Sequence, residues 1–254
     1  ANKIIEMACG EASKTLKLPR FYLYHMAMVQ NFYLNSLRIP KEKFRFRELS
    51  EEERAFYNKI HFDVELCLET LNGWKEVAGV HYRGDHDLSR HQQHSKEKLE
   101  VFIEGRRFIP NVLELSFGVD RNIWALLDLF FKEEKERTLF TFPPRLAPID
   151  VAVFPLVNKD GLPEKATEIY NDLRGAFAVF YDSKGSVGRL YRRQDEVGTK
   201  ANVTIDHQTL KDNTVTIRNI VDMKQIRVKV KDLKETIDAL LQGKIEFAKA
   251  GKPL

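Results

Sequence analysis

The sequence predicts two domains, an α+β domain with an antiparallel sheet over residues 1–142 and an α/β domain with a mainly parallel sheet over residues 149–254. Residues 60–66 alternate polar and apolar side chains, as a half-buried strand does. Residues 109–131 combine an apolar strand, a glycine turn and an amphipathic helix. Beyond residue 148, segments typical of strands alternate with segments typical of helices, which favours a parallel sheet covered by helices.

The first elements in chain order are a helix and a hairpin. Residues 19–37 carry aromatic and aliphatic side chains at helical spacing behind a proline, which suits the first turn of a helix. Residues 44–47 form a basic strand. The alternating segment 60–66 and the segment 72–79 are predicted to pair, because an Asn-Gly step is typical of a tight hairpin turn.

A polar segment, residues 86–98, follows the hairpin and is predicted to be a surface loop. It contains His86, His91 and His94, so a metal cluster is the alternative interpretation. The absence of a nearby cysteine and the solvated composition favour the loop.

The strand, turn and helix over residues 109–131 are the most informative feature. Gly118 stands at the corner between strand and helix, and Glu114 and Arg121 flank it. A guanidinium at this corner could stack on a flat ring or bind a phosphate, while a carboxylate could hold an ammonium group. A structural ion pair at the edge of the core is the alternative.

The second half begins after a predicted linker. A charge run, residues 132–137, and the prolines at 143, 144 and 148 indicate a stiff connection. The predicted strands beyond it are residues 149–156, 176–181, 201–205 and 214–218, and the predicted helices are residues 163–173, 187–194 and 233–241.

Composition limits the function classes. Hydrophobic residues make up 43% of the 254 residues, which is enough for a real core. No apolar run is long enough to span a bilayer and the first residues lack a signal pattern, so no membrane partner and a cytoplasmic location are expected. Cys9 and Cys67 are too few for a disulfide framework. The net charge of +4 permits an RNA partner without requiring one.

Three segments resemble one known family. Residues 73–79, Gly-Trp-Lys-Glu-Val-Ala-Gly, and the tail that carries Arg83, Asp85 and Asp87 resemble blocks of archaeal and eukaryotic glycyl-tRNA synthetases. Residues 110–121 are similar to the third class II signature of those enzymes. Residues 185–198 match a segment of their anticodon-binding domain. The resemblance covers most of the chain from about residue 18 onward and implies a partial class II catalytic core followed by an anticodon-binding domain.

The resemblance also implies an activity and a set of roles. Family members condense glycine and ATP to glycyl-adenylate, with Mg²⁺, and pass glycine to tRNA(Gly). Selectivity for glycine must come from a small pocket and from charged groups that read the ammonium group, because glycine has no side chain to bind. The matching positions here are Glu76, Val77 and Arg121 for ATP, Glu76 for magnesium, Glu76 and Arg121 for catalysis, Glu114, Leu115 and Ser116 for glycine, and Arg189, Arg192, Arg193 and Arg218 for tRNA.

The chain also departs from the family pattern. Leu115 stands where the family has proline, and His81-Tyr82 replaces a common Ala-Asp. Residues 219–221 lose the charged middle of an Arg-Asp-Arg-Asp block that begins at Arg218. The first and second class II signatures, the latter with the Phe-Arg-x-Glu motif that holds the adenylate phosphate, are not found.

Two functional hypotheses follow. The first is one portion of a glycine–tRNA ligase, inactive alone, whose missing N-terminal half or second subunit completes both the site and the sheet. The second is a synthetase-derived RNA- or protein-binding module without catalysis. The presence of Glu76, Glu114, Ser116 and Arg121 favours the first hypothesis, because a binding module has no chemical need for these groups. Unpaired strand edges predict that the isolated chain associates with itself or with a partner.

Overall fold

The computed structural model describes residues 6–254. The chain divides into two compact units, Ala1–Leu129 and Phe130–Leu254. Across the described residues, no helix combines the length and the apolar character that crossing a membrane requires.

The first unit combines helices with an antiparallel sheet. Its helices are α1 (Cys9–Thr15), α2 (Arg20–Asn31), α3 (His86–Ser95) and α4 (Val119–Phe130). Its strands are β1 (Phe44–Glu48), β2 (Ile60–Leu68), β3 (Gly73–Gly84), β4 (Val101–Ile103), β5 (Arg106–Phe108) and β6 (Val112–Phe117). A π-helical turn, Phe32–Ser36, continues α2, so the helix predicted over residues 19–37 is present in two parts.

Strands β1, β2, β3 and β6 form one antiparallel sheet in that order, which confirms the sheet type predicted for this half. Helix α2 covers one face. Tyr22 donates a hydrogen bond from its hydroxyl to the carbonyl of Val80 at 2.7 Å, and its ring lies beside Phe62. Because strand side chains alternate between faces, the polar residues of the same strands share the opposite face.

The hairpin between β2 and β3 has the predicted Asn-Gly turn. Asn72 and Gly73 both have positive φ, +53° and +124°, a conformation that these two residues adopt at low cost. A register shift follows after Val64, and it leaves Val77 as an extra residue in β3. The carbonyl of Val77 accepts hydrogen bonds from Gly118 N–H at 3.0 Å and from the side-chain amide of Asn122 at 2.8 Å. The bulge therefore holds the corner between β6 and α4.

Two segments of the first unit differ from the sequence predictions. Residues 86–95 form helix α3 rather than a surface loop. None of its residues is buried, so it lacks the apolar periodicity by which a helix is recognised. Lys96 ends it with a φ of +64°. Residues 101–108 form the unpredicted hairpin of β4 and β5.

The second unit contains a larger sheet. Its strands are β7 (Phe131–Glu134), β8 (Arg137–Phe140), β9 (Val151–Pro155), β10 (Val179–Tyr181), β11 (Ala201–Ile205), β12 (Thr214–Asn219), β13 (Gln225–Lys229) and β14 (Lys252–Pro253). Its helices are α5 (Leu162–Leu173), α6 (Val187–Val197), α7 (Thr209–Asp212) and α8 (Leu233–Leu241). The charge run 132–137, expected to belong to a linker, forms the hairpin of β7 and β8.

The order of the large sheet is β10-β9-β11-β12-β13-β14, and it is mixed. Strands β10, β9 and β11 run parallel, whereas β11, β12, β13 and β14 pair antiparallel. The expected mainly parallel sheet is therefore wrong. Residues 206–213 and 220–224 connect the antiparallel strands, and such short connections cannot make the crossover that parallel pairing needs. The core of this unit includes Val151, Val153, Ile169, Val203, Ile217 and Ile237.

Candidate functional site

The polar face of the first unit's sheet carries most of the predicted site. Cross-strand pairing sets His61 opposite His81, His81 opposite Glu114, and Gly79 opposite Ser116. Directly paired residues point to the same face of an antiparallel sheet. The polar groups of β2, β3 and β6 therefore form a continuous surface.

Arg121 and Glu76 meet at one end of this face. Arg121 Nη1 lies 3.1 Å from both the carboxylate and the backbone carbonyl of Glu76. The two side chains are 63% and 49% exposed, so both are accessible to a ligand. They border a cleft of about 390 Å³ whose wall includes the indole of Trp124. The cleft thus offers a flat ring, a cation and an anion together.

Glu114 pairs with Arg83 rather than with Arg121. The Arg83 guanidinium also contacts Asp87, with Nε 2.6 Å from Oδ2, and stacks on the ring of Tyr57 at 4.3 Å. Its two carboxylate partners raise the pKa of Arg83. The ion pair that the sequence suggested across the glycine corner is therefore wrong, because Glu114 points along the sheet toward β3 and Arg121 points across the bulge.

Ser116 contacts a histidine that the sequence analysis treated only as a departure from the family pattern. His81 Nε2 lies 2.9 Å from Ser116 Oγ. A side chain on Gly79 would overlap the His81 ring and lie 3.1 Å from Ser116 Oγ, so glycine is required there for the contact. Burial lowers the pKa of His81, and the adjacent His61 lowers it further, so the ring is neutral near pH 7.

Two further carboxylates continue the network toward β1. Arg45 and Arg47 both contact Glu65, and Arg47 reaches Asp63 at 3.0 Å. Burial raises the pKa of Asp63, and the charge of Glu76 adds to that effect. The site thus lies on a surface whose side chains are linked from β1 to β6.

Two of the predicted site residues, Leu115 and Val77, do not direct their side chains to this face. Leu115 pairs with Val80 and points to the face that α2 covers, so only its backbone borders the polar surface. The Val77 side chain is 1% exposed. It contributes through its carbonyl, which anchors the corner that delivers Arg121.

The polar face includes functional candidates that sequence reasoning missed. His61, Asp63 and Glu65 occupy alternate positions of β2, and His81 and Arg83 do so in β3. The same alternation that predicted these strands also assigns the polar residues to one face. Applied to both strands together, it indicates this cluster.

Magnesium coordination at Glu76 fits the donor chemistry of the site. Among residues 6–254, no cluster of three or more His, Cys, Asp or Glu side chains is arranged to hold a metal. A single carboxylate suits Mg²⁺, which takes one or two protein ligands and completes its shell with substrate phosphates and water.

In the second unit, the predicted RNA-binding arginines lie on and around α6. Ser186 occupies the N-cap position of the helix, and Gly198, with a φ of +86°, ends it. A cavity of about 600 Å³ opens along one side, lined by Ser186, Gly188, Arg189, Tyr191, Arg192, Arg193, Glu196, Arg218 and Met223. Arginines are the predominant charged residues of its wall, which makes it a positively charged opening.

Arg218 lies in the interior of this region. It is 4% exposed, and its two terminal nitrogens lie 2.7 and 3.1 Å from the carboxylate of Asp195. Its guanidinium also covers the ring of Tyr191 at 4.7 Å. Arg218, predicted to bind tRNA, therefore borders the cavity with little exposed surface, and its terminal nitrogens are already paired with Asp195. The Tyr191 hydroxyl bonds Thr204, so this ring is committed to the same interior cluster.

The remaining arginines are more accessible. Arg192 is 39% exposed and reaches Asp195 at 3.4 Å, and Arg193 is 50% exposed and binds Asp182 at 2.6 Å. Arg137 donates to the carbonyls of Ile220 and Val221 at 2.8 and 2.9 Å. Residues 219–221, where this chain lacks the charged residues of the family pattern, are thus held in place through their backbone.

Comparison with known proteins agrees with this geometry. Residues 150–240 match the family described as "Anticodon binding domain". The chain is 38% identical over 222 residues to the glycine–tRNA ligase of Borrelia hermsii, an alignment that covers 84% of this chain and 49% of that protein. It is 41% identical over 213 residues to the enzyme of that name from Clostridium acetobutylicum, covering 81% of this chain and 45% of that protein.

An archaeal relative is similar over the same region. The glycine–tRNA ligase of Methanothermobacter thermautotrophicus is 32% identical over 313 aligned positions, covering 93% of this chain and 55% of that protein. The chain spans about half the length of the curated relatives it matches.

Proposed function

We propose that this chain, which belongs to the glycyl-tRNA synthetase family, carries the glycine end of an aminoacyl-adenylate site in its first unit and an anticodon-binding surface in its second. The observation that carries the proposal is the placement of Glu114 and Ser116 on one face of β6, with Ser116 opposite Gly79. The His81 ring lies over Gly79 and contacts Ser116, so the carboxylate and the hydroxyl border a small polar recess with little free space. Its substrate is an amino acid whose own side chain needs no room.

Glu114 is the group that reads the ammonium of glycine. Its carboxylate is 38% exposed and is oriented by Arg83, which Asp87 and Tyr57 hold in place. A carboxylate fixed in this way forms a charge-assisted hydrogen bond with little reorganisation. Any side chain on the substrate would have to displace neighbouring groups of the recess, which gives the discrimination against larger amino acids.

Arg121 and Glu76 form the ATP end of the site. A nucleotide with magnesium offers each of them a partner, because phosphate binds the guanidinium and the cation binds the carboxylate. Trp124 in the same cleft supplies an apolar surface. In the proposed reaction the glycine carboxylate would attack the α-phosphorus of ATP and pyrophosphate would leave, and Arg121 would stabilise the negative charge that develops on the phosphate.

Further polypeptide completes the site in this proposal. Large apolar side chains are exposed along α2 and α4, namely Phe21, Tyr24, Met28, Ile123, Trp124 and Leu127. Exposed patches of this kind mark protein interfaces. Strands β1 and β6 also have one edge each without a partner among the described residues. The homologous N-terminal half of the ligase, or a second subunit, is the expected occupant, and the cytoplasm is the expected location.

Glycine-dependent exchange between ATP and pyrophosphate tests the ATP end of the site. The assay combines this chain with a second polypeptide that corresponds to the other half of the relatives. Arg121→Ala is expected to lower the exchange rate at least about a hundredfold, the loss typical of one charged donor in a water-poor site. Arg90→Ala, on the exposed surface of α3, is the control. Near-normal exchange in Arg121→Ala would contradict the assignment.

The test of the RNA surface is the salt dependence of tRNA(Gly) binding by the whole chain. Phosphate contacts release counterions, so affinity should fall steeply as salt rises. Replacing both Arg192 and Arg193 by alanine is expected to reduce the slope of log K against log salt by up to about two. The double variant Lys229→Ala with Lys231→Ala is the control, because it removes the same amount of positive charge at another surface. An unchanged slope in the arginine variant would show that this surface is only solvated.

A further inference from the structure

A buried asparagine links two histidines beneath the proposed glycine recess. Asn58 is 5% exposed, and its side-chain nitrogen lies 3.5 Å from His61 Nδ1 and 3.3 Å from His81 Nδ1. The two imidazole rings are 4.0 Å apart. None of these three residues has a part in the functional roles derived from the family resemblance.

The asparagine amide sets the positions of the protons on both rings. An amide nitrogen carries two hydrogens and no acceptor, so it can donate one hydrogen to each Nδ1. A neutral imidazole whose Nδ1 accepts must carry its hydrogen on Nε2. His61 Nε2 then lies 3.1 Å from a carboxylate oxygen of Asp63, and His81 Nε2 lies 2.9 Å from Ser116 Oγ. His81 Nε2 therefore faces an oxygen that can accept, whereas His61 Nε2 is close to Asp63 without the geometry of a hydrogen bond.

Both rings are held neutral by their surroundings. Desolvation lowers the pKa of His61 and of His81, and a proton on either ring would repel a proton on the other. Asp63, Glu76 and Glu114 oppose this effect, whereas Arg47 and Arg83 add to it. A neutral His81 has a single N–H, and the geometry directs it at Ser116.

This arrangement determines what Ser116 can do. A hydroxyl has one hydrogen and can accept on its oxygen at the same time. If Oγ accepts from His81, the hydroxyl hydrogen is free to point away from the ring and into the recess. The opposite tautomer of His81 would take that hydrogen and leave Ser116 only as an acceptor.

We propose that His81, oriented by Asn58, is a positioning residue that makes Ser116 a hydrogen-bond donor to the carboxylate end of the bound amino acid. The proposal rests on the proposed function, in which Glu114 accepts from the ammonium end of the same substrate. Ser116 and Glu114 are two residues apart on β6, about 7 Å along the strand, which leaves room for a small amino acid between an acceptor and a donor.

His81-Tyr82 stands where the family pattern commonly has Ala-Asp. The imidazole lies over Gly79, where a side chain would collide with it.

The tautomers can be measured directly on the whole chain. Long-range ¹H–¹⁵N correlation spectra of the ¹⁵N-labelled chain distinguish protonated from bare ring nitrogens. His61 and His81 are expected to show Nε2–H and bare Nδ1 near neutral pH. Asn58→Asp, which turns the donor into an acceptor, is expected to move the hydrogen of His81 to Nδ1, and Asn58→Leu is expected to release both rings. A native His81 that carries its hydrogen on Nδ1 would overturn the proposal.

The functional readout is the KM for glycine in the completed enzyme. His81→Leu is expected to raise it about tenfold with the KM for ATP unchanged, because one contact to the amino acid loses its orientation. His81→Gln keeps a donor that can reach Ser116 and is expected to restore most of the loss. Ser116→Ala should add little to His81→Leu, because both remove the same contact.

The outcomes separate this proposal from the proposed function. Exchange that proceeds with an unchanged glycine KM in His81→Leu overturns the positioning role alone. Equal losses in His81→Leu and His81→Gln, with normal folding in both, also overturn it. No glycine-dependent exchange by the unaltered completed enzyme overturns the proposed function and the substrate named here, while the spectra still decide the hydrogen-bond chain.

Discussion

The network on the first unit's sheet face and the cluster around Asp195 in the second unit use charged side chains in opposite ways. In the first unit the charges spread over an open sheet face, and the network ends in groups that remain accessible, with Arg121 63% and Glu114 38% exposed. In the second unit Asp195 and Arg137 are enclosed, with side chains 0% and 2% exposed. The first arrangement leaves hydrogen-bonding capacity for a ligand, and the second uses that capacity internally.

The difference shows how a charged residue in a family motif should be interpreted. Arg121 and Arg218 both lie in segments that match the family, and both pair with a carboxylate. Arg218 has its two terminal nitrogens on a buried carboxylate, so its loss would be felt as instability. Arg121 has a single partner in an open cleft, so under the proposed function its loss would be felt in binding and catalysis.

The largest expected effect comes from breaking the enclosed cluster. Asp195→Asn leaves Arg137 and Arg218 buried without their shared countercharge, which should cost the second unit about 3–5 kcal/mol of unfolding free energy. Hydrogen exchange measured on the amides of β11 and β12, and separately on those of β2 and β3, reports each unit by itself.

The first unit should be unaffected by that substitution. Asp222→Asn, whose carboxylate pairs with the exposed Lys224, is the matched control and should change exchange little. If Asp195→Asn lowers the unfolding free energy by less than about 1 kcal/mol, the cluster contributes no more than ordinary surface ion pairs do. The contrast between the units would then not hold.

The next largest effect comes from the same type of substitution, glycine to alanine, which should change stability in opposite directions in the two units. Gly79→Ala adds a methyl group that collides with His81 and should cost the first unit about 1–3 kcal/mol. Gly188→Ala in α6 meets nothing within 4 Å and should stabilise the second unit by up to about 1 kcal/mol. Unit-specific hydrogen exchange again measures both.

The collision at Gly79 has a direct control. The double variant Gly79→Ala with His81→Ala removes the group that the new methyl meets and should recover much of the stability. If it recovers none, the cost arises from the backbone of β3 and not from the imidazole.

The fold was predictable where a short segment determines it. The Asn72-Gly73 turn and the strand, glycine and helix around Gly118 depend on local chemistry, and both are present. Helix α3 was missed because it buries none of its residues, and β13 was missed because its pairing with β12 depends on a partner strand. Strand β12 runs antiparallel to its neighbours because the connections on either side of it are short. A list of predicted strands and helices does not take the length of connections into account.

The sequence names residues that the fold brings to one face, but it does not give their contacts. Glu76, Glu114, Ser116 and Arg121 lie on or beside the polar face. Glu114 was expected beside Arg121 because they are close in sequence. Cross-strand register instead places Glu114 opposite His81, and the bulge at Val77 turns Arg121 to Glu76. Register and bulges are long-range properties that one strand's sequence does not reveal.

The smallest expected effect is a pH dependence confined to the first unit. Burial is the main cause that lowers the pKa of His61 and His81 in the folded chain. In the unfolded chain a histidine has a pKa of about 6.5. Below that pH the unfolded chain binds protons that the folded chain does not, so the stability of the first unit should be fully present above about pH 6.5 and should fall as the pH drops.

Hydrogen exchange at pH 7.5 and pH 5.5, corrected for the intrinsic exchange rates, measures this difference. Burial raises the pKa of Asp63 from its ordinary value of 3.8. This shift makes the first unit more stable as the pH falls, which is opposite to the histidine effect, and it acts over a pH range that begins near 3.8. The second unit supplies the comparison, because its His207 is exposed beside Asp160. Replacing both His61 and His81 by glutamine should abolish the loss of stability in the first unit. A first unit that becomes more stable at pH 5.5 would mean that the folded state protonates these rings. His81 would then carry hydrogens on both nitrogens, and Asn58 could no longer donate to it.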